Sequence, residues 1–175
     1  EKNTKREMIK REKEQEKVLH EIFDKHKLLT VSRTRFLDTV LYQNRYVKMD
    51  IIEYGDYKSI TSFLREILGK EKGFDKILGN DEEDGLLIKK IESCDSIFEG
   101  IELVKNDIER IYRLESVEEY DKKFINLIRG QDSEFLQRLK VWLPEDTLKI
   151  TYSNGKGRFL PIDNASPVQK TATLL

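Results

Sequence analysis

The sequence predicts an α+β fold that is mostly helical, with a projecting charged N-terminal helix and a small sheet that includes a C-terminal β-hairpin. Three observations support this fold class. Residues 1–17 are almost wholly charged and contain neither glycine nor proline. Residues 85–143 repeat apolar positions at helical spacing throughout. Residues 148–162 hold two alternating segments on either side of an Asn-Gly turn, which is a strong hairpin signal.

The composition limits the classes of protein to which the chain can belong. Its 175 residues suffice for one domain, or for one lobe with an appendage. The net charge of −1 argues against a generally basic nucleic-acid-binding protein, although a local basic patch is compatible with it. Cys94 is the only cysteine, so no internal disulfide can form, and we expect a reducing, cytoplasmic setting. We expect no membrane partner, because no apolar stretch is long enough to span a bilayer and no signal peptide is visible.

The N-terminal region predicts two helices. Apolar residues at helical spacing begin only at Val18, after the charged stretch. We interpret residues 1–28 as a charged arm helix, the end of a coiled coil, which projects and then docks onto a body formed by residues 29–175. A solvated surface helix or a frayed terminus is the alternative, since a sustained heptad is absent. A second helix is predicted from about Ser32 to Tyr42.

A strand, a helix and a loop are predicted next. Residues 45–54 alternate as a half-buried strand does, and residues 60–68 carry an apolar stripe that stops at Gly69. The loop, residues 70–84, contains four successive carboxylates at positions 81–84. These could bind a divalent cation, but their spacing does not match a calcium loop and neighbouring side chains point in different directions. We favour a helix N-terminus or a solvated loop for them.

Residues 85–143 predict a helical middle region whose apolar stripes form the core. Ser116 and Glu119 have the spacing of a capping box and predict a helix start. Pro144 ends the last helix. The predicted core positions of this region are Leu86, Leu87, Ile91, Ile97, Ile101, Val104, Ile108, Ile111, Tyr112, Tyr120, Phe124, Leu127, Ile128, Phe135, Leu136, Leu139, Trp142 and Leu143.

The hairpin 148–162 leads into a predicted helix start at residues 166–175. Ser166 can cap this helix, and Gln169 completes the S-x-x-Q capping box. The chain stops in the second turn, on two leucines, which indicates a fragment of a longer protein. The amides and dipole of such a helix start attract anions, and Lys170 lies close enough to reach one. A simple helix start without a ligand is the alternative interpretation.

The stretch from Ala165 to Ala172, A-S-P-V-Q-K-T-A, resembles the signature motif of SMC- and RecF-type ABC ATPases. The variant A-S-P-G-Q-K-T-A of bacterial AAA-like ATPases, often fused to a PHP-type phosphoesterase domain, is the most similar form. The resemblance implies that Ser166 contacts the γ-phosphate of ATP held by the partner subunit, with Gln169 as the signature glutamine. It assigns Asn164 and Lys170 to the same motif. It also implies ATP and Mg²⁺ in the full-length parent, a homodimer, and a role in DNA repair or antiphage defence.

The sequence departs from this family at one position. The family's second glycine is Val168 here, and a β-branched residue crowds the approach of backbone to phosphate. The nucleotide contact of this motif could therefore be weakened, or the motif could have only a structural role. The chain also lacks a G-x-x-x-x-G-K-[ST] loop and a Walker B strand, so we expect it to bind no cofactor and to hydrolyse no ATP by itself. His20 and His26 are six residues apart and do not form a metal pair on one helix face.

A non-catalytic interaction module is the alternative function. The helical middle and the arm would then bind a partner protein or DNA. Nucleic-acid contacts would come from basic residues near the arm and the first strand. The candidates are Arg33, Arg35, Arg45 and Lys48.

Overall fold

The computed structural model describes residues 2–153, 158–166 and 170. Within them, seven α-helices and one three-stranded antiparallel sheet confirm the predicted α+β fold, with its long N-terminal helix and C-terminal hairpin. The chain divides into two units. The sheet unit comprises Glu1–Glu53 and Asp146–Leu175, and the helical unit comprises Tyr54–Glu145. The predicted boundary after residue 28 does not coincide with this division.

The elements have the following bounds in chain order. The helices are α1 Lys2–Val40, α2 Ile60–Ile67, α3 Asp75–Leu78, α4 Leu86–Glu92, α5 Ile97–Tyr112, α6 Lys122–Arg129 and α7 Ser133–Val141. The strands are β1 Val47–Ile52, β2 Thr147–Ser153 and β3 Phe159–Pro161, and two 3₁₀ turns span Tyr57–Ser59 and Ile162–Asn164.

Helix α1 is continuous, so the prediction of a separate second helix from about Ser32 is wrong. No glycine or proline occurs between its ends. The Thr34 hydroxyl donates to the Thr30 carbonyl at 3.0 Å, and the Thr30 hydroxyl lies 3.1 Å from the His26 carbonyl; the backbone stays helical at both residues. The side chains of residues 13–18 are exposed, and that of Leu19 is partly buried.

The sheet has the order β1-β2-β3, and all neighbours are antiparallel. Met49 pairs with Ile150 and Tyr152 pairs with Leu160. The Asn44 carboxamide oxygen accepts from the amides of Tyr46 and Val47, at 2.9 and 3.0 Å, which starts β1. The strand β3 lies at an edge of the sheet and ends at a proline, as predicted. The predicted turn residues 154–157 lie outside the described part of the chain.

The helical unit has a continuous apolar core centred on α5. Ile101, Val104, Ile108 and Ile111 have no exposed surface. Helix α4 crosses α5 closely at Gly100, where a Cβ atom would lie 2.5 Å from the Cα atom of Ile91. The buried hydrophobic residues of this core are Tyr54, Ile60, Leu64, Leu68, Ile77, Leu78, Leu87, Ile88, Ile91, Ile101, Val104, Ile108, Ile111, Val117, Tyr120, Phe124, Ile128, Phe135 and Leu139.

Two local predictions in the helical unit are wrong. The capping box at Ser116 does not start a helix. Helix α6 begins at Lys122 instead, because the Asp121 carboxylate accepts from the Phe124 amide at 2.8 Å and so provides a local cap. The predicted loop 70–84 contains the short helix α3, whose four residues are too few to show a periodicity.

Candidate functional site

The predicted signature segment follows β3 directly. The 3₁₀ turn ends in a hydrogen bond from the Ala165 amide to the Ile162 carbonyl at 3.0 Å, and the Ala165 side chain is buried. The Lys170 amide donates to the Ser166 carbonyl at 2.9 Å, which is the i→i+4 bond of a first helical turn. Asn164, Ser166 and Lys170 are exposed. Three of the four predicted motif residues are therefore exposed to solvent.

The fourth predicted residue, Gln169, lies outside the described residues, together with Pro167, Val168 and residues 171–175. The helix predicted over 166–175 is thus described only by the bond between its first residue and Lys170.

The four basic residues predicted for nucleic-acid contact do not form one uncompensated patch. Arg33 lies 3.3 Å from the Asp146 carboxylate, and Lys48 lies 3.2 Å from that of Asp50. Arg35 and Arg45 are exposed, and neither forms an ion pair with another described residue. Two of the four cations are therefore partly neutralised by neighbouring carboxylates.

A buried carboxylate that the sequence did not reveal lies between α1 and the start of β2. The side chain of Asp146 is 2% exposed. Its Oδ2 accepts from the Thr30 hydroxyl at 2.6 Å and from the Arg33 guanidinium at 3.3 Å. The His26 Nε2 atom lies 3.4 Å from its Oδ1. The signal in the sequence was the i, i+4, i+7 spacing of these three polar residues within a partly apolar helix face.

A second buried charge network lies within the helical unit. Lys90 lies 2.5 Å from Asp107, also contacts Glu119, and sits 5.0 Å above the Tyr120 ring. The Tyr120 hydroxyl donates to Asp107 at 3.1 Å. Burial, assisted by the neighbouring Asp107 charge, raises the pKa of Tyr120. A tyrosine hydroxyl is protonated at neutral pH, and this one donates its proton to Asp107. The network therefore holds α4, α5 and the segment before α6 together.

A polar cleft of about 470 Å³ lies beside the loop 70–84. Its base is Arg65, whose guanidinium donates to the carbonyls of Glu71, Gly73 and Gly79 at 3.2, 2.9 and 2.6 Å. It also lies 3.3 Å from the Asp75 carboxylate. The donors of Arg65 are thus directed at the loop, and this cleft is explained by the folding of the loop around one cation.

The acidic residues 81–84 belong to the same loop. The Asn80 carboxamide accepts from the amides of Glu82 and Glu83, both at 2.9 Å, so the segment forms a local turn. Asp84 accepts from the Lys58 amine at 2.6 Å. Over the described ranges, no group of three or more His, Cys, Asp or Glu side chains is arranged to hold a metal ion.

Comparison with known proteins gives no relative for this arrangement. No protein-family model, curated protein or solved structure matches the chain. In the part of the chain that the structure describes, no helix has both the length and the apolar character needed to cross a membrane.

Proposed function

We propose that this chain is a segment of a cytoplasmic SMC- or RecF-like ATPase and that it contributes the signature motif which contacts ATP across a dimer. The observation that best supports the proposal is the hydrogen bond from the Lys170 amide to the carbonyl of the exposed Ser166, which follows β3 and the 3₁₀ turn after it. The order of hairpin, short turn and helix start is the order that the resemblance implies.

The chemistry of this segment suits a phosphate. The first turn of a helix leaves amides without intrahelical partners, and its dipole attracts negative charge. The hydroxyl of Ser166 can donate to a phosphate oxygen, and the exposed Lys170 amine adds a positive charge nearby. In this proposal Asn164 and Gln169 supply further polar contacts. The nucleotide and Mg²⁺ are held by the rest of the ATPase head in the opposite subunit.

The proposal requires two further sequence elements in the full-length protein. A P-loop must precede this segment in the sequence and a Walker B strand must follow it, since neither is present in the 175 residues. A full-length sequence without these two elements would contradict the proposal.

The functional test is Ser166→Arg in the full-length protein. We expect ATP-dependent dimerisation, measured by sedimentation velocity with and without ATP, to be lost while the circular dichroism spectrum is unchanged. Contacts of this kind to phosphate are typically worth about 3 kcal/mol, so dimerisation should weaken by about a hundredfold. The matched control is Phe159→Arg, a similarly exposed change on β3 that should leave dimerisation intact. Wild-type dimerisation by the Ser166 variant would remove the assigned role.

DNA binding by the sheet unit is the second candidate function. It is favoured by the exposed guanidinium groups of Arg35 and Arg45 and by the excess of basic residues in α1, eleven against seven acidic ones. Replacing both arginines by alanine should lower the slope of log affinity against log salt by about 2, because each phosphate contact contributes about 0.9. Lys48→Ala is the control, since Asp50 already offsets its charge. An unchanged slope in the double variant would exclude these contacts.

A further inference from the structure

Strand β1 lies at one edge of the sheet. In the order β1-β2-β3 its hydrogen-bonded neighbour is β2, on one side. The outward N–H and C=O groups of an edge strand are a template for another strand. Proteins commonly protect such an edge with a charged side chain, often a lysine, because an approaching strand would have to accommodate that charge. The side chains along β1 therefore determine which strand can lie beside it.

The backbone of β1 presents alternate residues to the open side. The Ser153 amide donates to the Tyr46 carbonyl at 2.8 Å, and this pair continues the register of β1 with β2. Because bonded positions alternate along an antiparallel ladder, the peptide groups of even-numbered residues face β2 and those of odd-numbered residues face outward. The outward Val47 amide donates to the Asn44 carboxamide at 3.0 Å, so a second strand would use this residue through its carbonyl. The outward positions of β1 are Val47, Met49 and Ile51.

One face of β1 carries two opposite charges. Lys48 and Asp50 are two residues apart, so they project from the same face, where their side chains are 62% and 42% exposed and lie 3.2 Å apart. On the other face Val47 is buried, and Met49 and Ile51 are partly buried. A strand that pairs with β1 must therefore match one positive and one negative charge on one face, and apolar side chains on the other.

Strand β1 matches its own reverse in one register. An antiparallel second copy can bond to β1 only where outward positions of both strands lie opposite one another. Three such registers bring the charges of two copies face to face: they set Lys48 against Lys48, Lys48 against Asp50, or Asp50 against Asp50. The second alone pairs opposite charges, and it does so twice. The same register is centred on Met49 and places the exposed Tyr46 opposite Ile52.

We propose that β1 pairs with β1 of a second copy of this chain, antiparallel and centred on Met49, so that the two three-stranded sheets continue across a two-fold axis. Each Lys48 then lies between its own Asp50 and Asp50 of the second copy, and the charges alternate in sign. One added ladder is a small interface, so the association is weak and depends on concentration. It involves neither a nucleotide nor Ser166, so it stands or falls separately from the proposed ATPase role.

Reversal of single charges tests the pairing. Sedimentation velocity without nucleotide, over a range of concentrations, should show a concentration-dependent dimer of the wild-type chain. Lys48→Asp sets carboxylate against carboxylate and Asp50→Lys sets amine against amine, so each variant alone should lose about tenfold in affinity. Because the charges of the two variants complement each other, an equimolar mixture of them should dimerise again. Lys122→Asp, the same reversal at an exposed lysine in the first turn of α6, is the matched control and should dimerise as the wild type does.

Three outcomes of this experiment would overturn the proposal. A wild-type chain that stays monomeric at every concentration would exclude the association. A dimer that both single reversals leave intact would place the contact elsewhere on the chain. A mixture of two correctly folded variants that does not regain the dimer would show that the charges do not face each other. Circular dichroism of each variant establishes that it is folded.

Cysteine cross-linking tests the register. Cys94 is first replaced by serine. Met49 faces its own counterpart at the two-fold axis, with about 5.5 Å between the Cα atoms, which a disulfide can span. Met49→Cys should therefore form a disulfide dimer with itself under mild oxidation. Ile51→Cys is the matched control, because position 51 faces position 47 and lies about 13 Å along the strand from position 51 of the second copy. No cross-linking of Met49→Cys, or equal cross-linking of both variants, would contradict the proposed pairing.

Discussion

The two units of the molecule bury apolar surface to very different extents. The helical unit contains nineteen buried hydrophobic residues in one continuous core. Among the described hydrophobic residues of the sheet unit, only Val47, Tyr152 and Ala165 are buried to a similar degree. The sheet unit instead carries a buried carboxylate, Asp146, that three side chains of α1 contact.

The two units therefore depend on different kinds of buried contact. Burial of apolar area is non-directional and supplies most of the free energy of folding, so the helical unit has the larger reserve of stability. A buried carboxylate with fixed donors contributes less net energy but defines one geometry, since any displacement of α1 along β2 would leave it without partners. Helix α1 of the sheet unit also leaves Val18, Leu29, Phe36 and Val40 exposed.

The largest effect should come from Phe124→Ala in the helical unit. Phe124 has no exposed surface, and its ring lies 5.7 Å from that of Tyr120 and 5.5 Å from that of Phe74. Truncation should lower the free energy of unfolding by about 3–5 kcal/mol, through lost burial and the cavity left behind. Urea denaturation followed by the fluorescence of Trp142, the single tryptophan and a member of this unit, measures the loss. A loss below about 1 kcal/mol would show that apolar burial does not dominate here.

Two lysines of the helical unit should respond in opposite ways to replacement by methionine. Removing Lys90 leaves the buried Asp107 carboxylate without its nearest cation, so we expect a loss of about 3 kcal/mol. The amine of Lys105 is also buried, 3.2 Å from Glu102 and 3.3 Å from the Lys140 carbonyl. Lys105→Met removes a buried charge and keeps the stem, so its stability should be within about 1 kcal/mol of the wild type, or higher. Equal losses in the two variants would contradict this distinction.

The pH dependence of stability distinguishes the same two lysines. Partial burial alone would lower the pKa of Lys90, but its hydrogen bonds to Asp107 and Glu119 outweigh this and raise the pKa above 10.5. Its stabilising contribution is therefore complete below pH 10.5 and is lost as the pH rises through the raised value. Burial lowers the pKa of Lys105 below 10.5. Its protonated form thus costs stability at neutral pH, and that cost is relieved as the pH rises from the lowered pKa to 10.5.

The features that the sequence predicted well are those with a repeating signal. The stripes of α5 and α7, the alternation of β1 and the hairpin follow directly from apolar spacing. Helix starts and ends that depend on a single residue were predicted less well. Ser116 and Asp121 are both plausible caps, and only the observed bond to Phe124 shows that Asp121 starts α6. The separate helix predicted from about Ser32 is part of α1, and no glycine or proline interrupts residues 2–40.

The contacts of the candidate sites depend on tertiary structure to different degrees. The prediction for the segment around Ser166 uses local residue order alone, since a hairpin followed by a possible capping serine is a local pattern. The pairing of Arg33 with Asp146 joins residues 113 positions apart, and no local pattern encodes it. The predicted basic set therefore included a residue whose partner only the fold reveals.

Asp146→Ala should destabilise the sheet unit by about 2 kcal/mol, because it removes the acceptor that Thr30 and Arg33 share and the carboxylate beside His26. Hydrogen exchange of the α1 amides is the appropriate measurement, since it reports local opening of this unit separately from the helical core. The control is Asp50→Ala. Its carboxylate is 42% exposed, and surface pairs such as that with Lys48 contribute about 0.5 kcal/mol or less. Equal exchange rates in the two variants would mean that the buried carboxylate does not hold α1.

The smallest effect should come from Phe36→Ala, the same substitution as at Phe124 but in the sheet unit. Phe36 is 66% exposed in the isolated chain, so little apolar area returns to water on unfolding, and the loss should not exceed about 0.5 kcal/mol at high dilution. Urea denaturation measures this loss on the same scale as that of Phe124→Ala. A loss at high dilution as large as that of Phe124→Ala would mean that Phe36 is buried within one chain, and the contrast between the two units would no longer hold.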